Sequence, residues 1–521
     1  MPLLPSCGVS TTLTRRTFLT ASAATAATVA LPKTASAATD PADLGVLEAL
    51  ALMRAKQLSA RELLAACRTR ANAHERVVQA FLLHTDDLAD AAATAADRRY
   101  AQGRPLPLDG VPVGLKDLHY VKGRATTASS RALADFVPSW DATLWARLRD
   151  AGGVLVGKLN TQEFALGNAT APTKNPWDTA RTPGGSSGGS AAALAARYVL
   201  AASGSDTAGS IRIPASACGV VGLKPTYGRV SRHGVITLSW SMDHTGMLAR
   251  SVADVAYLTQ LVAGHDPADP TSSRLPVPTY PTAAPADLRG VRIGIPTSYF
   301  WDTTATQADI LAVGHAAVRR LESAGATVVD VDLPASFAAA MAPAPLADAQ
   351  ASPLLLGESH PALLITTEAF GYHEALISQR AELYSDDILA AISSGGTVLA
   401  PDYLRTQQLR EVFVRDLRAM FHAHDLDAVA HPTLRTDPPT APTRTPANAG
   451  LVNGLSLSDL MYPANFAGLP SLQVPVGLSA LGLPVGLSLM GRHFDEATLL
   501  GIGLWLGEDV QFGKRQPAAI S

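Results

Sequence analysis

Apolar positions recur in the N-terminal half of the chain with the spacing of amphipathic helices. Residues 46–57 and 59–75 place apolar side chains three or four positions apart, a period that predicts helices with one face in the core. Ser59 precedes the second of these stretches and is a residue type that caps helix N-termini. The same pattern predicts helices over residues 142–151 and 191–199.

Short continuous apolar runs alternate with these helical stretches and predict strands buried on both faces. They cover residues 154–156, 199–202, 291–295, 327–331 and 428–431. A further run, residues 111–115, ends at Lys116 and predicts a strand that carries an ammonium group to the sheet edge. Strands that alternate with helices are typical of an α/β fold in which helices cover the sheet.

Two glycine turns that carry serines provide the candidate chemistry. Residues 184–190 read GGSSGGS, and residues 205–212 read SDTAGSIR. Glycine adopts backbone conformations closed to other residues, so such runs mark sharp bends and close approaches of the main chain. If these hydroxyls meet Lys116 in one pocket, they supply a nucleophile, a proton relay and a base.

These segments resemble the amidase signature family, serine hydrolases that cleave amide C–N bonds with a Ser–cis-Ser–Lys triad. The resemblance covers roughly residues 45–265 and 420–505. It implies that Lys116 is the base, that Ser186 is the relay serine after a cis peptide bond, and that Ser210 is the nucleophile.

The same resemblance implies the fold and the remainder of the site. It implies one amidase domain over residues 38–521, built on a large mixed β-sheet with helices on both faces. The backbone N–H groups of Thr207, Ala208 and Gly209, next to that of Ser210, correspond to the family's oxyanion hole.

A lysine base makes a specific physical demand on its surroundings. A serine hydroxyl is a weak nucleophile until a base takes its proton. Lysine can take it only when neutral, whereas its ordinary pKa is about 10.4. Burial disfavours the charged amine and lowers that pKa. The apolar flank of Lys116 indicates such burial.

Neighbouring polar residues have structural interpretations that compete with functional ones. Asp206 and Arg212 flank the nucleophile, and a structural ion pair is favoured over a direct chemical role. Asp117 is left open between a solvated charge at the strand end and a role in a network. Ser187 and Ser190 are interpreted as hydroxyls that support the turn.

Nucleotide, metal and cofactor sites are not predicted. Residues 152–158 match GxxxxGK, but Leu159 follows where a phosphate-binding loop needs Ser or Thr to hold magnesium. The glycines instead precede an apolar strand. His and Cys residues show no metal-ligand spacing.

The N-terminus resembles an export address. Arg15 and Arg16 form a twin-arginine pattern, a weakly apolar stretch follows over residues 21–31, and residues 35–37 read ASA. This predicts a removable signal peptide over residues 1–37, and hence a secreted or periplasmic protein exported by the Tat route.

The net charge and the cysteines indicate which partners and which disulfide bonds are not expected. The formal net charge is −3, and loss of Arg15, Arg16 and Lys33 leaves 39 basic against 45 acidic residues, or −6. Such a balance gives no basic footprint for nucleic acid. Stable membrane insertion is not expected, and a homodimer is left open. Cys67 and Cys218 are expected to be free thiols.

The preferred interpretation is an exported serine amidohydrolase that converts a small-molecule amide to carboxylate plus ammonia or amine. One alternative is the A subunit of glutamyl-tRNA amidotransferase, which residues 105–235 resemble very closely; the other is an inactive binding protein on the same scaffold. The sequence does not identify the substrate.

Residues 333–404 are expected to cover the active-site mouth, and residues 434–450 to form an exposed loop. For Asp459 and Arg405, an ordinary surface or structural charge is favoured over contact with a polar substrate head.

Overall fold

The computed structural model describes residues 40–347, 358–441, 451–452 and 455–520. The helices within them are α1 (Val46–Arg54), α2 (Ala60–Val78), α3 (Asp86–Ala101), α4 (Thr143–Asp150), α5 (Gly188–Ala195), α6 (Arg212–Ala217), α7 (Val252–Val262), α8 (Ala308–Ser323), α9 (Ala335–Met341), α10 (His360–Arg380), α11 (Asp386–Ser394), α12 (Ala400–Ala423), α13 (Tyr462–Phe466) and α14 (Glu496–Val510). The strands are β1 (Phe81–His84), β2 (Pro112–Lys116), β3 (Val154–Leu159), β4 (Ala201–Asp206), β5 (Val221–Lys224), β6 (His244–Ala249), β7 (Arg292–Ile295), β8 (Thr327–Asp330), β9 (Ala428–Pro432), β10 (Leu451–Val452), β11 (Leu455–Ser456), β12 (Ser471–Leu478) and β13 (Pro484–Gly491).

Eleven of these strands form one mixed sheet in the order β1-β3-β2-β4-β6-β5-β12-β13-β9-β7-β8. Strand β2 runs parallel to β3 and β4, and β7 runs parallel to β8 and β9. The remaining pairs are antiparallel. Strands β10 and β11 form a separate hairpin.

Helices cover both faces of this sheet. Successive residues of a strand point to opposite faces. On the face of Gly222, α6 packs so closely that a Cβ there would lie 2.8 Å from Ile211 Cγ2 and 3.0 Å from Ala215 Cβ. On the face of Leu472, α14 packs at Gly503, where a Cβ would lie 2.4 Å from Leu472 Cδ2. The predicted α/β fold with a helix-flanked mixed sheet is confirmed.

Several predicted elements match their observed bounds closely. Helices α1, α2 and α4 and strands β7, β8 and β9 lie within about three residues of the prediction. Ser59 caps α2 as expected: its Oγ accepts from the Glu62 N–H at 3.1 Å, and Glu62 accepts from the Ser59 N–H at 2.8 Å. This reciprocal pair satisfies two amides at the helix start.

One predicted strand is shifted along the chain. Residues 199–202 were expected to be extended, but β4 runs from Ala201 to Asp206. Its second half contains glycine and serine, which give no apolar signal. The strand nevertheless extends because all its residues are buried and pair with β6.

The exposed loop expected over residues 434–450 is wrong for residues 434–438, whereas residues 439–441 are half-buried or exposed. Residues 434–438 are buried, and residues 442–450 lie outside the described residues. Arg435 donates to Thr306 Oγ1 at 3.1 Å, and the Asp437 N–H donates to Gln307 Oε1 at 2.8 Å. These distant partners bind two of the buried polar groups in the segment.

The predicted signal peptide, residues 1–37, lies outside the described residues, so export stays a prediction. Among the helices that are described, none has the length and hydropathy needed to cross a membrane.

Candidate active site

Lys116 is the last residue of strand β2, which lies between β3 and β4, and its side chain is fully buried. Its Nζ lies 2.7 Å from Ser186 Oγ, 2.9 Å from Ser187 Oγ and 2.9 Å from Ser205 Oγ. Both serine turns therefore meet the lysine, as the sequence predicts. Ser187 and Ser205 were not predicted as its partners, although both lie in the two glycine turns.

The lysine has the altered acidity that a base needs. Burial lowers the pKa of Lys116 to about 7, against the opposing effect of the Asp206 and Asp243 carboxylates, which favour the charged amine. At neutral pH a large fraction of Lys116 is therefore uncharged and able to accept a proton.

The three serines differ in what they can offer the neutral amine. A charged lysine has three N–H donors, whereas the neutral form has two and one lone pair, so one of the three hydroxyls must then donate to Nζ. Ser187 Oγ also donates to the Ser205 carbonyl at 3.3 Å. The hydroxyl that donates a hydrogen bond to neutral Lys116 is therefore that of Ser186 or Ser205.

Ser186 and Ser210 occupy facing turns. The Gly185–Ser186 peptide bond is cis, as the resemblance implies. Ser210 lies between β4 and α6, and its carbonyl accepts from the Ser187 N–H at 3.1 Å. This bond joins the turn of Ser186, the predicted relay, to the turn of Ser210, the predicted nucleophile, and Ser210 itself is 4% exposed. We call the turn of Ser210 the nucleophile turn.

A buried ion pair shapes the nucleophile turn, as the structural interpretation predicts. Arg212 Nε lies 3.0 Å from Asp206 Oδ2, and both side chains are fully buried. Burial disfavours the Asp206 charge, but the Arg212 charge outweighs that effect and holds the pKa of Asp206 below its usual range. Asn465 completes the network, since its Nδ2 donates to Asp206 Oδ1 at 2.9 Å and its Oδ1 accepts from Arg212 at 2.5 Å.

The same carboxylate takes one of the amides expected in the oxyanion hole. The Gly209 N–H donates to Asp206 Oδ1 at 2.8 Å, so in this structure it is directed at Asp206. The backbone N–H groups of Thr207, Ala208 and Ser210 stay predicted oxyanion donors. Thr207 is held from its side chain, where Oγ1 donates to Asp243 Oδ1 at 2.6 Å.

Asp117 belongs to a network and is not a solvated charge. It is buried and pairs with Lys158 Nζ at 2.7 Å, while the Thr127 N–H and hydroxyl donate to its other oxygen. Burial lowers the pKa of Lys158, and Asp117 opposes that shift. The lysine of the GxxxxGK match thus stabilises the loop after β2.

A cavity of about 230 Å³ lies beside Ser205 and Asp243. Ser205 and Asp243 line its wall, and Arg232 and Trp240 line it further out. Arg232 lies over the Tyr227 ring at 4.7 Å from its centroid. Ser205 both lines this cavity and contacts Lys116 Nζ, so one side chain separates the cavity from the lysine.

The segment expected to cover the mouth reaches this region. On α10, Glu368 accepts from the Ser239 hydroxyl at 2.6 Å, beside the cavity. The Ser385 N–H donates to Glu163 Oε2 at 3.2 Å, and Arg380 pairs with Asp135 at 2.7 Å. Residues 348–357 of the segment lie outside the described residues.

Other candidate groups have structural surroundings. Cys67 and Cys218 are free and buried, and burial raises the pKa of the Cys67 thiol to about 12. Arg405 pairs with Asp402 on its own helix. Over the described ranges, no group of three or more His, Cys, Asp or Glu residues is placed to bind a metal ion.

The site geometry agrees with a family comparison. A family model described as Amidase matches residues 62–500. The chain belongs to the amidase family. Membership supports hydrolysis of amide C–N bonds as its reaction class, and it accounts for the lysine and the two serine turns found together.

Three individual proteins are similar to this chain over most of its length. The A subunit of the glutamyl-tRNA(Gln) amidotransferase from Chloroflexus aggregans is 44% identical over 475 residues, covering 88% of this chain and 95% of the relative. The solved structure of 6-aminohexanoate cyclic dimer hydrolase with substrate matches with a TM-score of 0.80 at 26% identity, covering 92% of this chain and all of that one. The solved structure of the glutamyl-tRNA(Gln) amidotransferase A subunit from Thermotoga maritima matches with a TM-score of 0.69 at 28% identity, covering 89% and 94%.

These relatives correct the functional prediction. The preferred interpretation, an exported serine amidohydrolase, is wrong, because the chain matches amidotransferase A subunits across nearly their whole length. The alternative drawn from the close likeness of residues 105–235 is the one that the comparison supports.

Proposed function

We propose that this chain is the amide-hydrolysing A subunit of a glutamyl-tRNA(Gln) amidotransferase and releases ammonia from glutamine. The observation that carries the proposal is the 44% identity to a named A subunit over 95% of its length. The amidotransferase's other subunits and its tRNA are the partners that this role requires.

The reaction follows from the groups around Lys116. Neutral Lys116 takes a proton from Ser186, which takes one from Ser210 as Ser210 Oγ attacks the side-chain amide carbonyl of glutamine. Backbone N–H groups of the nucleophile turn stabilise the negative oxygen of the tetrahedral intermediate. One proton returns from Lys116 through Ser186 to the leaving nitrogen, the C–N bond breaks, ammonia departs, and a glutamyl ester remains on Ser210. Water then attacks the ester by the same relay and releases glutamate.

The test is subunit replacement. The A subunit of the Chloroflexus aggregans amidotransferase is exchanged for this chain, and conversion of Glu-tRNA(Gln) to Gln-tRNA(Gln) is measured with glutamine as nitrogen donor. We expect conversion with the wild-type chain and none with Ser210→Ala. Ammonium chloride in place of glutamine should restore conversion in the Ser210→Ala complex, because only ammonia release is lost.

Two results would contradict the proposal. A chain that hydrolyses other amides but neither assembles nor releases ammonia from glutamine would be an amidase of different specificity. A chain whose Ser210 reacts with neither amides nor fluorophosphonate would be the inactive binding protein that the sequence left open.

A further inference from the structure

Glu368 on α10 accepts several hydrogen bonds from the loop 238–243, which lines the cavity. Its carboxylate accepts from Ser239 Oγ at 2.6 Å, from the Ser241 N–H at 2.8 Å and from Ser241 Oγ at 2.7 Å. Tyr403 Oη on α12 donates to it at 3.1 Å. Charge-assisted hydrogen bonds of this kind are stronger than neutral ones, so Glu368 fixes the loop firmly.

The same loop holds Asp243. The Leu238 N–H donates to Asp243 Oδ2 at 2.9 Å, and the Ser239 N–H donates to Asp243 Oδ1 at 3.1 Å. Asp243 Oδ1 also accepts from Thr207 Oγ1 at 2.6 Å. A continuous path of hydrogen bonds therefore leads from α10 through the loop to the nucleophile turn.

Arg410 on α12 holds the loop from a second side. Its Nη1 donates to Ser241 Oγ and its Nη2 to the Ser241 carbonyl, both at 2.9 Å, while its Nε donates to the Phe466 carbonyl at 2.7 Å. The loop is thus held by α10 through Glu368 and by α12 through Arg410.

We propose that Glu368 is a positioning residue, which acts through the loop 238–243 and Asp243 on Thr207 to set the geometry of the oxyanion turn. The inference rests on the proposed function only in that it needs an attack by Ser210; it does not depend on which amide reacts. A turn displaced by a fraction of an ångström aligns its amides poorly with the developing oxyanion, so turnover falls while ground-state binding changes little.

The test compares Glu368→Ala with Glu374→Ala, which removes an exposed glutamate from the same helix. The readout is the rate at which a fluorophosphonate probe labels Ser210, because this reaction uses the oxyanion turn without any amide substrate. We expect labelling to slow about tenfold in Glu368→Ala, less in Glu368→Gln, and not at all in Glu374→Ala. With an amide, kcat should fall and KM should stay nearly constant.

A double-mutant cycle tests the path itself. Thr207→Val removes the hydroxyl that contacts Asp243 but keeps the backbone N–H. If both residues act along one path, Glu368→Ala combined with Thr207→Val labels no more slowly than the slower single variant. Rates that multiply would overturn the proposal, as would unchanged labelling in Glu368→Ala.

Two further measurements keep the proposal open to refutation. If Glu368→Ala does not fold, Ser239→Ala is used instead. It removes the hydroxyl that donates to Glu368 and keeps the hydrogen bond from the Ser239 N–H to Asp243. Labelling should then be slower than in the wild-type chain, by a smaller factor than we expect for Glu368→Ala. If the wild-type chain is not labelled, the proposed attack by Ser210 fails, and hydrogen exchange still reports on the path. Exchange at residues 207–211 should be faster in Glu368→Ala than in Glu374→Ala, and equal exchange would contradict the inference.

Discussion

The hydroxyls around Lys116 determine what this residue can do. Three serines lie within 2.9 Å of its Nζ, and the hydroxyl of Ser187 also donates to the Ser205 carbonyl. Because burial lowers the pKa of Lys116 to about 7, the amine changes from donor to acceptor near neutral pH. Whether Lys116 can accept a proton therefore depends on the protonation state of this one buried amine.

The pH dependence of hydrolysis follows from that titration. Below pH 7 Lys116 is protonated and cannot accept a proton, so kcat/KM should fall about tenfold per pH unit on the acid side and level off above neutrality. Lys116→Arg should lose at least about a hundredfold in kcat/KM, because arginine stays charged. A Lys116→Arg variant with near-normal turnover would reduce Lys116 to a structural cation.

Removing the charge of Asp206 should destabilise the protein strongly. Asp206→Asn leaves the buried Arg212 guanidinium without a counter-charge, which costs about 3–5 kcal/mol of unfolding free energy. The control is Asp178→Asn, which breaks a more exposed pair with Arg181 and should cost less than about 1 kcal/mol. Urea denaturation of both variants measures the difference; equal losses would show that the Asp206 pair carries no special weight.

At the scale of elements, strand β4 sets the spacing of the site. Gly204 lies between Ser203, which accepts from the Lys116 N–H at 3.0 Å, and Ser205, which contacts Lys116 Nζ. A Cβ on Gly204 would lie 2.8 Å from Ile211 Cγ1 and 3.1 Å from Ser187 Oγ. The strand therefore approaches both catalytic turns as closely as a glycine allows.

We expect Gly204→Ala to impair both folding and activity. The added methyl group must displace Ile211 and Ser187, at a cost of about 1–3 kcal/mol, and it should slow fluorophosphonate labelling of Ser210. Gly371→Ala, where an added Cβ meets nothing within 4 Å, is the control. Normal labelling and stability in Gly204→Ala would contradict this close packing.

Local patterns in the sequence predict a large part of this arrangement. The triad residues stand in short motifs, and α2 begins with a capping pattern that is visible in the sequence. Strand β12 was missed because its Pro475 and Gly477 weaken the strand pattern, although β5 and β13 pair with it on both sides. The burial of residues 434–438 and the roles of Glu368 and Asp243 depend on partners far away in the sequence, which no local pattern contains.

At the scale of the whole molecule, the N-terminal pattern and the proposed function predict different locations. A glutamyl-tRNA(Gln) amidotransferase works where charged tRNA is present, whereas the Tat pattern at Arg15 and Arg16 predicts export. Fractionation of the native host decides between them. Unprocessed chain bound to amidotransferase subunits would support the proposed function. Processed chain outside the cytoplasm that begins near Ala38, and whose export is lost when both arginines are replaced by lysine, would contradict it.

The most direct test of the central claim is capture of the acyl group from Ser210. Hydroxylamine attacks an acyl-enzyme ester in place of water, so the amidotransferase complex that contains this chain, given glutamine and hydroxylamine, should form γ-glutamyl hydroxamate and release ammonia. Ser210→Ala should form none, and Ser186→Ala should form it slowly, because its nucleophile is intact and only the relay is lost. Hydroxamate formation that persists in Ser210→Ala, or its absence from the wild-type complex, would contradict glutamine hydrolysis through Ser210.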